Sequence, residues 1–99
     1  MSLDQEVAFS FQSLTVGTTA VGITTQVGDL RGFRAVMSLE ADQIRFRYDG
    51  TAPTATVGHL MNVGDRIVLE GRSNLEQFLA IRSSGAATDG TLLITIETM

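Results

Sequence analysis

The 99-residue sequence predicts a single all-β domain, an antiparallel β-sandwich of jelly-roll or Greek-key type with about seven or eight strands. Three observations predict it. Apolar residues alternate with polar ones at a period of two, glycines interrupt most stretches before three helical turns can form, and turn signals recur at intervals of about 8 to 12 residues. A small barrel is the alternative, because the same spacing of strands and turns fits both architectures.

Three strands are predicted in the first half of the chain. The segment 7–16 alternates around Phe9 and Phe11, the segment 33–41 places its apolar residues on one face, and the segment 44–48 alternates apolar with charged residues. In the last two segments the residues expected to face inward are Phe33, Ala35, Met37, Leu39, Ile44, Phe46 and Tyr48. Each segment therefore reads as a half-buried strand.

The second half of the chain continues the same pattern. Ile67 and Leu69 alternate with more polar neighbours, and the segment 92–97 alternates up to the last residues. The Asp-Gly dipeptides at 49–50 and 89–90 predict tight turns between strands.

Three segments are less regular. In the segment 74–82, Leu75 and Phe78 also fit helical spacing, but its shortness favours a strand with a bulge or a short turn. The threonine-rich segment 15–27 is expected to form a flexible ribbon or an edge hairpin, and residues 1–12 an N-terminal arm or edge strand of the single domain 1–99.

Composition narrows the function classes. The net charge of −4 disfavours nucleic acid as the main ligand, since such binding depends on neutralised phosphates. The sequence contains no membrane-length apolar run and no signal-peptide pattern in residues 1–6, which predicts a soluble protein that is not exported through a signal peptide. It contains no cysteine, which excludes disulfides, thiolate nucleophiles and cysteine-ligated metals. Glycine-rich phosphate loops are also missing, so no cofactor is predicted.

Catalytic and metal-ligating patterns are weak. His59 is the single histidine, and neither a nucleophile elbow nor a second histidine at metal-ligand spacing accompanies it, which favours a structural or surface role. The acidic residues match no calcium loop, and those beside glycine are typical of turns in which the carboxylate accepts from nearby backbone amides. These acidic candidates are Asp42, Asp49, Asp65, Glu70 and Asp89. The sequence therefore predicts a protein that is not an enzyme, with no metal site.

Arginine forms the strongest candidate binding surface, since all seven basic residues are arginines. Arg45 and Arg47 share one face of a predicted strand, and Arg34 or Arg66 is expected to extend this stripe across the sheet. Two interpretations stay open: ordinary cross-strand pairing with acidic residues, or a protein interface in which arginine is enriched.

Most of the chain, from about Ser13 onward, resembles small β-rich proteins encoded among the virion structural genes of tailed bacteriophages. The motifs that carry the resemblance are Arg45 to His59 (RFRYDGTAPTATVGH), Gly64-Asp65, Leu69-Glu70-Gly71, the segment 74–82 and Thr88-Asp89-Gly90-Thr91 before a terminal strand.

The resemblance implies a non-enzymatic virion component assembled in the host cytoplasm, most simply a capsid decoration or cement protein. Its partners would be the major capsid protein or other virion proteins, and it would form a homo-oligomer, with a trimer favoured. Membranes would not be partners. A neck or tail component and a carbohydrate- or ligand-binding β-sandwich module are the alternatives.

Overall fold

The computed structural model describes residues 7–23 and 34–98, with the side chains of residues 11–23 and 34–97. Within these residues the chain forms eight strands and one short helix. The strands are β1 (Val7–Val16), β2 (Val21–Gly22), β3 (Arg34–Ala41), β4 (Ile44–Arg47), β5 (His59–Met61), β6 (Arg66–Glu70), β7 (Leu79–Arg82) and β8 (Gly90–Thr98), and the helix is α1 (Arg72–Gln77).

The strands form two four-stranded antiparallel sheets, which we call the large sheet (β1-β8-β3-β6) and the small sheet (β2-β7-β4-β5). The first strand pairs with the last, and each following strand pairs with the next one inward: β1 with β8, β2 with β7, β3 with β6, and β4 with β5. A long hairpin rolled onto itself produces this order, which is the eight-stranded jelly roll. The predicted β-sandwich is confirmed, and the barrel alternative is wrong because the sheets do not close on each other.

The core lies between the two sheets and follows the period of two. In β3 the buried residues are Ala35, Met37 and Leu39, as predicted, and β8 buries Leu92, Ile94 and Ile96. From the small sheet, the largest buried contributors are Ile44, Phe46 and Met61. The register of these strands is fixed because a slip by one residue would expose the whole set.

Two aromatic residues, Phe11 and Tyr48, are exposed, and one of them, Tyr48, was predicted to face inward. Tyr48 was expected to face inward, but β4 ends at Arg47 and the Tyr48 side chain is 39% exposed at the margin of the core. Phe11 points outward and is 63% exposed, because Leu14 and Val16 hold the inner face of β1 and Phe11 has the opposite parity. Phe33 and the Phe9 side chain lie outside the described residues.

The segment 74–82 was expected to form a strand with a bulge or a short turn, but its first residues belong to the helix Arg72–Gln77, so a strand there is wrong, and only Leu79–Arg82 forms a strand. Leu75 and Phe78 are both fully buried. Residues three apart point to opposite faces of a strand but to the same side of a helix, so only a helical turn buries both. The helix packs beside β3 and β6 and covers that end of the core, and the predicted strand begins only at Leu79.

The remaining irregular segments form edges of the sheets. Residues 7–12 belong to β1, the edge strand of the large sheet, and Val21–Gly22 forms the edge strand of the small sheet. Residues 1–6 and 24–27 lie outside the described part of the chain.

Candidate functional site

The four candidate arginines do not form one stripe. Arg45 and Arg47 belong to β4 of the small sheet, whereas Arg34 and Arg66 belong to β3 and β6 of the large sheet. The expected extension of the Arg45 and Arg47 pair across the sheet is therefore wrong. Local alternation places a side chain on a face of its own strand, but it does not say which sheet receives the strand.

Arg45 holds a loop of its own chain. Its Nε donates to the carbonyl oxygen of Ala55 at 3.3 Å, and its Nη1 donates to that of Gly58 at 3.0 Å. Ser84 also donates its amide to the carbonyl of Ala55 at 2.9 Å. The loop between β4 and β5 is thus tied to the outer side of the small sheet, and the Arg45 guanidinium already has backbone acceptors.

Arg47 forms a bidentate pair with Asp49, two residues away. Nε donates to Oδ1 at 3.1 Å, and Nη2 donates to Oδ2. These bonds lower the pKa of Asp49 and raise the pKa of Arg47. Both groups are solvent-accessible, so the pair orders the turn after β4 more than it stabilises the fold.

Arg34 pairs across the large sheet, in agreement with the cross-strand interpretation. Its Nε donates to Oε1 of Glu97 at 2.8 Å, and its Nη1 lies 3.5 Å from Oε2 of Glu70. The Arg66 side chain is exposed and forms no hydrogen bond or ion pair with any residue that the structure describes. An interface role for these four arginines stays a prediction.

A small open cleft of about 270 Å³ lies beyond the end of β4, between Arg47, Tyr48, Asp49 and His59. The Tyr48 and His59 rings lie 6.1 Å apart with 25° between their planes, and the His59 ring is 5.3 Å from that of Phe46. His59 is an exposed residue at the start of β5, directly opposite Phe46 in the register. The cleft offers an aromatic surface beside a charged pair.

The acidic candidates serve turns and ion pairs. Asp42, whose φ is 49°, forms with Gln43 the two-residue connection from β3 in one sheet to β4 in the other. Its Oδ2 accepts from the Thr88 hydroxyl at 2.8 Å and from the amides of Thr88 and Ala87. The Thr88 hydroxyl bond, followed by the backbone amides, lowers the pKa of Asp42. Asp42 thereby anchors the loop before β8.

Other carboxylates have similar roles. Asp65 accepts from the amide of Asn62 at 2.8 Å, and Asp89 accepts from Nη1 of Arg82 at 3.1 Å. Within residues 7–23 and 34–98, no three His, Asp or Glu side chains lie close enough together to hold a metal ion.

The outer face of the large sheet carries a row of three apolar residues and one threonine that sequence inspection missed, which we call the apolar row. Phe11, Thr95, Val36 and Val68 are register partners in turn across all four strands. Phe11 is 63% exposed and Val68 is 55% exposed. The next row, from Ser13 through Leu93 and Ser38 to Arg66, borders a shallow groove of about 470 Å³.

A sequence signal for this face exists. Ala35-Val36-Met37, Ile67-Val68-Leu69 and Leu92-Leu93-Ile94 are apolar at three successive positions. Because successive side chains of a strand point to opposite faces, each triplet must place an apolar residue on the solvent side of a two-layer sandwich. Three such triplets in neighbouring strands indicate an apolar outer face.

Comparisons with known proteins found no relative of this chain. Among the described residues, no helix is long and apolar enough to cross a membrane. The chain matches no protein-family model, no curated protein and no solved structure.

Proposed function

We propose that this chain is a non-enzymatic structural component of a tailed-bacteriophage virion, most simply a capsid decoration or cement protein, that acts through protein–protein contacts. The observation that carries the proposal is the apolar row on the outer face of the large sheet. Phe11 and Val68 expose more than half of their side-chain surface at its two ends. Contiguous exposed apolar surface on a small domain is typical of a contact site.

The contrast between the two sheets supports a contact role for the large one. The small sheet is partly covered on its outer side by the loop that Arg45 holds through Ala55 and Gly58. Over the large sheet, the described residues provide no such loop, and a groove crosses its strands instead. A partner that covers this face removes apolar side chains from water at roughly 25 cal/mol for each Å².

Two further observations favour a virion component. The motif order from Arg45 to Thr91 resembles small phage structural proteins, and jelly rolls occur in viral capsid proteins as well as in lectins. The second argument is one of fold analogy, which narrows the choice of function without fixing it.

The test is quantitative mass spectrometry of purified particles from the virus that encodes the chain. A ratio of about one copy for each major capsid protein or capsomer supports decoration, and a few copies for each particle point to a neck or tail part. Particles that lack the chain in every preparation would refute a virion role.

A matched pair of variants locates the contact. Phe11→Ser removes an exposed aromatic group from the outer face of the large sheet, and Val57→Ser removes an exposed apolar group from the loop over the small sheet. Incorporation into particles should fall for Phe11→Ser and stay near wild type for Val57→Ser. Equal incorporation of the two variants would exclude the large sheet as the contact.

The cleft beside Tyr48 favours a second candidate, a carbohydrate- or ligand-binding module. Its observation is the exposed Tyr48 and His59 pair next to the Arg47 and Asp49 side chains, since an aromatic face with nearby hydrogen-bonding groups suits a sugar ring. Glycan-array binding that is lost in Tyr48→Ala would support this function. If no glycan on the array binds, carbohydrate binding by this cleft is excluded.

A further inference from the structure

We infer that the outer face of the large sheet binds the same face of a second copy of this chain, around a two-fold axis parallel to the strands. The inference rests on the proposed function, in that the chain works through protein contacts, and it names the occupant of this face. It also differs from the trimer that the family resemblance favours, because a face that pairs with itself closes as a dimer.

The order of strands makes the apolar row self-complementary. A two-fold axis parallel to the strands places β1 over β6 of the second copy and β8 over β3. Phe11, at one end of the row, then lies over Val68 of the second copy, at the other end. Each large exposed apolar group of one copy thus meets an apolar group of the other, and the two sheets pack in the aligned manner of a sandwich.

Charge is self-complementary under the same operation. In the row beside the apolar one, Glu97, Arg34 and Glu70 are register partners on β8, β3 and β6. Exchange of β8 with β3 places Arg34 of one copy over Glu97 of the other. The described outer face carries two arginines, Arg34 and Arg66, against three glutamates, Glu40, Glu70 and Glu97, so most of the chain's net charge of −4 lies elsewhere. Two copies can therefore approach face to face without strong repulsion.

The area of the face suits a specific dimer. The four strands have between five and ten residues, about eight on average. At about 4.8 Å between strands and about 3.3 Å for each residue, they form a rectangle of roughly 19 by 26 Å. This is about 500 Å² of flat surface for each copy, and the relief of the side chains adds to it. Two copies therefore bury about 1,000 Å² or more, which is where specific interfaces begin.

The first experiment measures the mass of the full-length chain in solution by analytical ultracentrifugation over a concentration series. We expect a reversible dimer. Val68→Glu should raise its dissociation constant by about a hundredfold or more, because the symmetry buries two uncompensated carboxylates. Val57→Glu, an equal change at a residue of similar exposure off this face, should leave the constant unchanged. Thermal unfolding of both variants at low concentration verifies that they are folded.

The second experiment maps the register, since the chain has no native cysteine. A Phe11→Cys, Val68→Cys double variant treated with a short bismaleimide should yield covalent dimers, because each residue lies over its counterpart across the axis. Val57→Cys should yield none.

The outcomes separate this inference from the proposed function. A chain that stays monomeric at all concentrations, or a dimer that Val68→Glu leaves intact, overturns the inference. If such a monomer is still found in virus particles, the proposed function stands and a virion protein covers the face. A dimer that no particle contains confirms the pairing and refutes the virion role.

Discussion

Phe46→Ala is the substitution that most directly tests how the core supports the candidate cleft. The Phe46 side chain is 8% exposed, and its ring centroid lies 5.7 Å from that of Phe78, 5.3 Å from that of His59 and 6.5 Å from that of Tyr48. Truncation removes the transfer free energy of a buried aromatic ring and leaves a cavity, which together reduce the free energy of unfolding by about 3 to 5 kcal/mol. For a domain whose total stability is about 5 to 15 kcal/mol, this is a large share.

Urea unfolding followed by circular dichroism measures the effect. The midpoint should fall while the slope stays that of the wild type, because the fold and the surface exposed on unfolding are the same. Phe11→Ala is the matched control, since it makes the same chemical change at a residue that is 63% exposed. At a concentration where the chain is monomeric it should reduce the free energy of unfolding by less than about 1 kcal/mol.

Equal losses of stability for the two variants would contradict the register of β4 or of β1, since they require an exposed Phe46 or a buried Phe11, and each of these requires a slip by one residue in its own strand. A loss below about 1 kcal/mol for Phe46→Ala would show that the inner face of β4 is not part of the core. Either result would also mean that a buried Phe46 does not support the Tyr48 and His59 rings.

Three further predictions concern the turns and the loop. Gly90→Ala should lower the free energy of unfolding by about 1 to 3 kcal/mol in a thermal or urea titration, because the new Cβ would lie 2.5 Å from Cγ2 of Ile44. Gly17→Ala is the control and should lower it by less, because the nearest atom to its new Cβ lies at 3.4 Å. Asp42→Asn should be less stable than wild type at pH 7. Since the folded-state pKa of Asp42 is lowered, the difference in stability should shrink as the pH falls below about 4 and the wild-type carboxylate becomes protonated. A constant difference between pH 7 and pH 2 would show that the carboxylate charge is not its cause. Arg45→Ala should speed amide hydrogen exchange in the loop 51–58, because the Gly58 carbonyl loses its guanidinium donor and the Ala55 carbonyl keeps only the Ser84 amide. Unchanged exchange there would show that other contacts hold the loop.

Much of the fold follows from local pattern. The predicted strands 33–41, 44–48 and 92–97 alternate with a period of two, and the structure forms β3, β4 and β8 there. In β3 and β4 the described residues expected to face inward are buried. This alternation can be predicted from the sequence because the face on which a side chain lies depends only on its position along its own strand. The helix Arg72–Gln77 was not predicted, because six residues are too few for a helical period to outweigh the strand pattern around them.

The candidate site was less predictable, because it depends on long-range pairing. The sequence places Arg45 and Arg34 on the outer faces of their strands, but their separation depends on β3 and β4 entering different sheets across Asp42 and Gln43. The apolar row likewise requires the register of four strands that are distant in the chain. No local sequence pattern predicts that Phe11 and Val68 lie at the two ends of one row across the sheet.

The structure moves our proposed contact surface from charged residues to apolar ones. Arg45 and Arg47 were the best candidates in the sequence, yet their donors serve Ala55, Gly58 and Asp49 of the same chain. An interface through them would first have to replace hydrogen bonds that the fold already makes. The outer face of the large sheet has no such cost, because Phe11 and Val68 are already exposed to water and gain by leaving it. On physical grounds a partner binds where the folded chain leaves apolar surface uncovered, and the outer face of the large sheet carries two strongly exposed apolar residues, Phe11 and Val68, at the ends of one register row.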